Sequence, residues 1–495
     1  MKKGKCPLCG RKGRRECPAL NAVICSECCG TKRISAIPCS SECPHNVFGL
    51  HAIEAFRAMD NDFHGDVLLP AMLKKGFLSP EEATKVRADI SEENFFVVKM
   101  YILKMTRLFR DRQPDGRTAF EVWQADGFEG LTHDEACMLG FKKNTMPTVI
   151  ELQKNIDNNF VECIDIFDPE RGKFMLLDPM LASAQYPRYL KALCWLENYP
   201  AFSRISGGLI VPALIAREFI EMVKEMAMEK LFAAAEFPEK ECLRTNFDYF
   251  WKLPEKMHDE KRKAMLSSID IKICNALYDI GSNYQQILDI LGSKPDFEER
   301  PEEARQEGER YFLWKRCGES KKIEEKMPEV FRHEEDGEQF GIVGNLILRK
   351  DSLLIEARKK QMFTFAMKMA RHFFGDLITL RKKAERDLAK EMAAKDFKPA
   401  LREEKSENKI PAEIKEKILH DYMEKHYRKF IDAGNTRLYG MTPRQASRKP
   451  EMRATLLDLM KEHIHMNETN ARQEGISPIS LDWLLDELNL GELKQ

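Results

Sequence analysis

The chain has 495 residues, with 79 lysines and arginines against 80 aspartates and glutamates, and 43% of its residues are hydrophobic. This length is typical of about three domains, and the apolar content excludes a wholly disordered protein. The formal net charge of −1 argues against nucleic-acid binding spread over the whole surface.

Neither a membrane span nor a secretory leader is expected. Residues 208–216 form the best apolar candidate and fall far short of the roughly 20 residues that a membrane helix needs. The first residues, MKKGKC, are charged but have no apolar stretch behind them, so a signal peptide is not predicted. We therefore expect a cytoplasmic protein with no membrane partner.

Cysteines dominate the amino-terminal segment, because eight of the fourteen lie in the first 43 residues. In a reducing compartment, clustered thiols are metal ligands far more often than disulfides. Two C-x₂-C pairs and one C-x₃-C pair occur among them, and such spacings let two thiolates reach one tetrahedral ion from a single turn. A segment this poor in large apolar residues cannot build a core unaided, so bound metal would supply its folding energy. The eight are Cys6, Cys9, Cys17, Cys25, Cys28, Cys29, Cys39 and Cys43.

These spacings predict two structural zinc sites, each closed by four thiolates and without an open position for water or substrate. The preferred arrangement is interleaved along the chain, although spacing does not settle which thiol serves which ion. The alternatives are a single ion with spare thiols, His45 in place of a later cysteine, and an iron–sulfur cluster, for which the tight cysteine runs of ferredoxins are missing. In the interleaved arrangement, Cys6, Cys9, Cys25 and Cys28 hold one ion and Cys17, Cys29, Cys39 and Cys43 hold the other.

The same segment is basic, with nine lysines and arginines against three glutamates in residues 1–45. It is therefore a candidate surface for phosphate or for an acidic protein. The alternative, which we favour, is that these cations offset the negative charge of the zinc-bound thiolates. No base-reading helix follows the cysteines, as it would in a C₂H₂ finger. The candidate nucleic-acid contacts are Lys12, Arg14, Arg15, Lys32 and Arg33.

The string CPLCG…ECPALNAVICSECCGTKRISAIPCSSECPH, within residues 5–45, resembles the amino-terminal zinc-ribbon-like module of a group of uncharacterised bacterial proteins. In that group a CPxC pair, a CPAL, an IC-x-x-CCGTKR and a final C-x₃-CP follow one another in this order. The resemblance implies a metal-binding module and carries no established activity.

The middle of the chain shows mostly helical signals. Capping sequences, in which Ser or Thr precedes Glu or Gln by three residues, begin at Ser79, Thr132 and Thr442. Apolar residues at helical spacing predict an amphipathic helix from Met362 to Leu380. Two hairpins are predicted, one within residues 160–177 and one within residues 340–355.

The tail carries two further resemblances. Residues 427–432 (YRKFID) and 438–446 (LYGMTPRQA) are similar to the helical, toxin-binding carboxyl-terminal domain of parS/Xre-type antitoxins. Phe430 stands where Trp is usual in that family, and Tyr439-Gly440 where a glycine pair is usual. Residues 481–488 (LDWLLDEL) resemble the end of SEC-C-like zinc proteins. These resemblances imply a helical domain and a role in a bacterial stress or defence operon.

Together these signals predict a mainly α protein with small β hairpins: an amino-terminal zinc module, a multi-helical middle and a separate helical carboxyl-terminal domain. The charge-rich residues 298–337 are expected to be solvated and partly mobile, and residues 381–410 to be a charged helix or linker. The predicted segments are 1–46 (zinc module), 47–148 (helical), 149–337 (helical, with the hairpin near 160–177), 338–380 (hairpin and amphipathic helix), 381–410 and 411–495 (antitoxin-like).

No P-loop, GxGxxG, GxSxG or HExxH string is present, and the histidines are scattered. We therefore predict a non-catalytic zinc-binding interaction or regulatory protein that holds protein partners. The alternative is a transcriptional regulator that binds nucleic acid through the basic zinc module. An enzymatic role would require a pocket with perturbed titrating groups, assembled from distant residues.

Overall fold

A computed structural model of the chain describes residues 4–88, 93–229, 232–268, 272–304, 308–322, 332–335, 338–387 and 412–494. The chain forms two compact units. One comprises Met1–Met257 together with Pro411–Gln495, and the other comprises His258–Ile410. Among the described helices, none combines the length and the apolar character that crossing a bilayer requires.

The first unit begins with the cysteine-rich module. Two short antiparallel strands are followed by one helix, and the thiols form a small core with Ile24 and Ile37. Bulky aromatic side chains are missing from this core, so the module depends on its cysteines, as its composition suggests. The elements are β1 (Arg15–Cys17), β2 (Ala22–Ile24) and α1 (Ser26–Lys32).

A helical layer follows the module. The predicted capping boxes are confirmed, because Ser79 and Glu82 exchange hydrogen bonds, as do Thr132 and Glu135. A π-helical turn, Phe63–Leu68, joins the second and third helices. The helices are α2 (Ile53–Asp62), α3 (Leu69–Lys74), α4 (Pro80–Ala88), α5 (Glu93–Phe109), α6 (Ala119–Ala125) and α7 (His133–Lys142).

A closed five-stranded barrel lies at the centre of the first unit. Its strand order is β3-β4-β5-β7-β6, closing on β3, and only the β5–β7 pair is parallel. This order, with a helix between the third and fourth strands, is the connectivity of the OB-fold. The predicted hairpin within 160–177 is confirmed as β4–β5 and forms two adjacent strands of this barrel. The elements are β3 (Met146–Asn155), β4 (Phe160–Asp165), β5 (Lys173–Leu177), α8 (Pro179–Ala184), β6 (Lys191–Asn198) and β7 (Ser203–Val211).

Strands β3 and β6 are buried on both faces along most of their length. The interior is filled by side chains such as Ile150, Cys163 and Cys194, while Val149 and Leu193 point outward into the helical core. The helices α9 (Ala216–Ala227), α10 (Pro238–Thr245) and α11 (Phe247–Ser268) follow the barrel in the chain.

The carboxyl-terminal helices pack around their own core and against the barrel. Lys461 pairs with Glu151, and Arg188 pairs with Glu468. The capping box at Thr442 is confirmed. Because numbering follows the chain, α12–α14 belong to the second unit described below. The carboxyl-terminal helices are α15 (Ala412–Phe430), α16 (Pro443–Ala446), α17 (Arg453–Glu474) and α18 (Asp482–Glu487).

His463 lies inside this carboxyl-terminal core, with its ring centroid 4.4 Å from that of Phe430. Burial, and then the charges of His426 and Arg437, lower its pKa from 6.5 to about 4. Below pH 6.5 the unfolded chain therefore binds a proton that the folded chain rejects, so stability is lost as the pH falls towards 4. Urea unfolding at a series of pH values gives the free energy of unfolding at each pH. We expect His463→Phe to reduce the loss of this free energy between pH 7 and pH 4 by up to about 3 kcal/mol. His51→Gln, at an exposed histidine, is the control and should keep the pH dependence of the wild type. If His463→Phe and His51→Gln show the same pH dependence of the unfolding free energy, the buried His463 is not its source.

The second unit is an antiparallel sheet of seven strands in the order β14-β8-β13-β12-β10-β9, with β11 paired to β12. Side chains of α14 such as Phe365 and Met369 pack on one face, which confirms the amphipathic helix from Met362 as far as Phe374. Its predicted continuation to Leu380 is wrong, because Leu377 lies in a 3-10 turn and Leu380 in the last strand of the sheet. The second predicted hairpin is confirmed as β12–β13. The elements are β8 (Lys272–Asp279), α12 (Tyr284–Ser293), β9 (Phe297–Glu299), β10 (Arg310–Arg316), α13 (Gly318–Lys321), β11 (Arg332–Glu335), β12 (Glu338–Leu348), β13 (Ser352–Ala357), α14 (Lys360–Phe374) and β14 (Thr379–Asp387).

The prediction of a mainly α protein with small hairpins is therefore wrong, because the described residues form three sheets, including the barrel and the seven-stranded sheet. Strand β6 is buried along almost its whole length, so its sequence lacks the alternation that would distinguish a strand from a buried helix. The separate carboxyl-terminal domain is also wrong, since Pro411–Gln495 belongs to the same unit as Met1–Met257.

Two charge-rich segments also contain strands. Within 298–337, strand β10 places Trp314 in the core of the sheet. Residues 381–387, expected to belong to a charged helix or linker, lie in the edge strand β14, while residues 388–410 lie outside the described part of the chain. Charged side chains are common on edge strands because they prevent further strand pairing, so charge alone does not exclude a strand.

Candidate metal centre

The first pair of ligands lies on a tight turn. The amide of Gly10 donates to the carbonyl of Cys6 (2.8 Å), and the amide of Cys6 donates to the carbonyl of Arg11 (2.7 Å). Gly10 has a φ of +73°, a conformation that glycine adopts without steric cost. The turn therefore carries the thiols of Cys6 and Cys9 towards the same point.

The second pair lies at the start of α1. Cys25 is the N-cap of this helix, and its Sγ accepts a hydrogen bond from the amide of Cys28 (3.3 Å). Cys28 follows within the first turn, so both thiols are held by the same short segment of backbone. The β1–β2 hairpin, which ends at Ile24, brings this segment to the first turn.

The sulfur atoms of Cys6, Cys9, Cys25 and Cys28 all lie within 4.8 Å of one another, and this set could hold a metal ion. The Sγ atoms of Cys9 and Cys25 are 3.5 Å apart, well beyond the disulfide length of about 2.05 Å. Four sulfurs at about 2.3 Å from one zinc ion stand about 3.8 Å apart in a tetrahedron, so the observed spacing fits that geometry. Three of the four thiols are buried and Cys9 is exposed.

Backbone donors and crowding act in opposite directions on these thiols. Burial raises the pKa of Cys6, but amide donors, first that of Cys25, outweigh it and lower the pKa to about 6. The pKa of Cys28 is raised to about 12, first by its hydrogen bond with Cys9 and then by burial. Deprotonation is thus favoured at Cys6 and disfavoured at Cys28. A dication bound between the four sulfurs would stabilise the thiolate form of both.

The other four cysteines are neighbours in a looser arrangement. Cys17, Cys29 and Cys43 are buried and Cys39 is half-buried. Burial raises the pKa of Cys39, the backbone amide of Ile34 opposes this, and the charges of Cys43, Cys17 and Cys29 raise it further. Cys39 therefore lies within electrostatic range of the other three thiols. Elsewhere in the described ranges, no second set of three or more possible ligand atoms lies within 4.8 Å of one another, and this holds with or without His45.

One of the predicted nucleic-acid contacts has a different role. The Nε of Arg33 is 2.8 Å from a carboxylate oxygen of Asp134, and its guanidinium also donates to the carbonyl of His45. The Nε2 of His133 is 2.8 Å from the carbonyl of Arg33. Arg33 therefore links the cysteine module to α7 by an ion pair and a hydrogen bond. No local pattern in the sequence indicated this role. Of the other four predicted contacts, Lys12 and Arg14 are exposed and Arg15 and Lys32 are half-buried.

No protein-family model, curated protein or solved structure matches this chain. The chemistry of the site is consequently inferred from its own geometry. The bacterial resemblances of the amino-terminal module and of the tail stay predictions.

Proposed function

We propose that this chain is a non-catalytic zinc-binding protein that acts by holding protein partners. The observation that carries the proposal is the ligand set of Cys6, Cys9, Cys25 and Cys28. Four thiolates fill a tetrahedral shell and leave no position for water or substrate, so the ion stabilises structure instead of acting as a Lewis acid. In a module with so small a core, such an ion supplies the folding energy.

We further propose a second zinc ion held by Cys17, Cys29, Cys39 and Cys43. The burial of three of these thiols and their electrostatic effect on the fourth, Cys39, support it. Thiolate ligands in a tetrahedral set select zinc or iron, and structural Cys₄ sites are characteristic of zinc. The purified protein should contain two zinc ions per chain by plasma mass spectrometry. A metal-free protein, or one that contains iron and absorbs visible light, would overturn the zinc assignment.

The tail offers a contact surface for a partner. Tyr439 is 84% exposed and has a φ of +55°, a conformation that is costly for a residue with a side chain. Leu438 and Ala446, on either side of this loop, are fully buried and anchor its two ends in the core, while Tyr439 faces solvent. Tyrosine is one of the residue types enriched among those that dominate binding energy at protein interfaces. The similarity of this segment to antitoxin tails would make the partner a toxin-like protein.

A photo-crosslinking amino acid at position 439, in the cells from which the protein comes, tests this surface. We expect one protein to be captured at 439 and not at Tyr249, a half-exposed tyrosine on α11. With the purified partner, Tyr439→Ala should weaken binding by about tenfold or more. Capture of the same proteins at both positions, or binding that is indifferent to Tyr439→Ala, would refute the tail as the partner surface.

The second candidate is single-stranded nucleic-acid binding. The exposed Lys12 and Arg14 and the OB-fold connectivity of the barrel favour it. Two observations count against it. On the β4–β5 face, the charge of Lys173 is balanced by its ion pair with Glu162. The loop between β6 and β7 packs into the helical core through Tyr199 and Phe202. Salt-dependent binding of a labelled single-stranded oligonucleotide that disappears in Lys12→Glu/Arg14→Glu would promote this candidate above partner binding.

A further inference from the structure

A cavity of about 370 Å³ lies on the outer surface of the barrel, between the strands, α9 and α17. All of its lining residues belong to the first unit. Its volume is within the range of small-molecule sites, which are mostly apolar with a few convergent polar groups.

The floor of the cavity is a row of side chains across four strands. Glu151 on β3 is paired with Ile164 on β4 and with Lys191 on β6, and Lys191 is paired with Val211 on β7. Directly opposed residues on neighbouring strands present their side chains on the same face. All four residues line the cavity, so a charged pair lies between two aliphatic side chains.

A buried charge cluster lies in this floor. The side chain of Glu151 is 4% exposed, and its two oxygens are 2.9 Å from the Nζ of Lys191 and 2.6 Å from the Nζ of Lys461. Gln153 also donates to one of these oxygens (2.9 Å), so the carboxylate is fully partnered. Each ammonium has three N–H donors and gives one to Glu151. Two cations therefore share one anion, and hydrogen-bond donors are left over at the cavity wall.

The remaining charges at the wall are largely neutralised. Asp165 is 2.8 Å from Lys240, and Glu462 is paired with Arg437. Within the described part of the chain, the exposed Arg217 on α9 has no ion pair, and Asp458 on α17 is the one acidic group at the wall without a cationic partner. Lys224 and Glu221, also at the wall, pair with each other. Arg217 and Asp458 carry opposite charges, so the net excess at the cavity is the one positive charge of the floor.

We propose that this cavity binds a small amphipathic organic anion. Its acid group lies between Lys191, Lys461 and Arg217. Its apolar body lies against the aliphatic wall formed by Ile166, Ile210 and Ile220. One excess positive charge in the floor suits a monoanion, such as a carboxylate or sulfonate, better than a doubly charged phosphate.

Two fluorescent probes that share one aromatic body test the selectivity for an anion. Anilinonaphthalene sulfonate carries the acid group, and phenylnaphthylamine is its neutral counterpart. The sulfonate should bind the folded full-length protein saturably at one site, be displaced by octanoate, and bind at least about tenfold more tightly than the neutral probe. Equal affinity for the two probes would overturn the proposal.

Variants of the cavity separate this site from nonspecific adsorption. Lys461→Met removes one ammonium and leaves Lys191 to pair with Glu151, so sulfonate affinity should fall about tenfold, and Lys461→Arg should restore most of it. Arg217→Glu changes an exposed residue, keeps the fold and should also weaken binding. Arg448→Glu, at an exposed arginine between α16 and α17 that does not line the cavity, is the matched control and should bind like the wild type. Unchanged binding in Lys461→Met and Arg217→Glu would place the probe elsewhere.

Discussion

Replacing Cys28 by serine is expected to release one zinc ion per chain and to unfold the amino-terminal module. Cys28 lies one helical turn from Cys25 and within 4.8 Å of the three other thiols of the closed set. Serine removes a thiolate, and a three-ligand site binds zinc far more weakly. Because metal affinity is the folding energy of such a module, losing the ion exposes the segment to proteases. Zinc content and limited proteolysis would show the two effects together.

The adjacent residue Cys29 tests whether the two ligand sets are separate. Cys29→Ser should also release one ion, but it should be the ion of the second set, so the double variant Cys28→Ser/Cys29→Ser should contain none. Cys317→Ser, at an isolated cysteine in the second unit, should retain both ions. Retention of full zinc in Cys28→Ser would contradict the ligand assignment.

Lys142→Met is expected to destabilise the first unit by about 3–5 kcal/mol. The side chains of Lys142 and Glu197 are both 0% exposed, and the Nζ lies 2.6 Å from each carboxylate oxygen of Glu197. The Nζ is also 3.5 Å from Asp60. Methionine fills a similar volume but leaves the carboxylate of Glu197 charged and without its cation in a site that water does not reach. Urea unfolding of the purified variant would measure the loss.

Two comparisons show whether the loss comes from the unpaired charge. Lys143→Met changes the exposed neighbouring lysine and should alter stability by no more than about 0.5 kcal/mol. Lys142→Met/Glu197→Gln should recover much of the loss, because the amide is neutral. Its oxygen can accept from one of the hydroxyls of Tyr199 and Ser206, and its NH2 group can donate to the oxygen of the other. If Lys142→Met costs no more than Lys143→Met, the pair does not stabilise the fold as inferred.

Short-range signals were predicted well. The capping boxes at Ser79, Thr132 and Thr442 each depend on two residues three positions apart, and all three are present. Both hairpins are confirmed for the same reason, since their strands are joined by short turns. The first set of thiols also lies together, because two C-x₂-C turns need only one hairpin between them to converge.

Long-range assembly was not predictable from these patterns. Strand β6 has no alternation because both of its faces are buried, and β14 is so charged that its composition resembles that of a solvated helix. Lys142 and Glu197 are separated by 55 residues, and Glu151 and Lys461 by 310. Nothing local marks either pair, since an isolated lysine or glutamate is ordinarily a surface residue.

The amino-acid order alone was therefore enough to locate the helix starts, the hairpins and the cysteines that meet in the first ligand set, because each depends on contacts between close neighbours in the chain. Tertiary structure decided the closure of the barrel, the docking of the tail against it, the role of Arg33 and the charged floor of the cavity. Each of these depends on which distant segments share a buried surface, and burial is a property of the folded whole that no short stretch of sequence specifies.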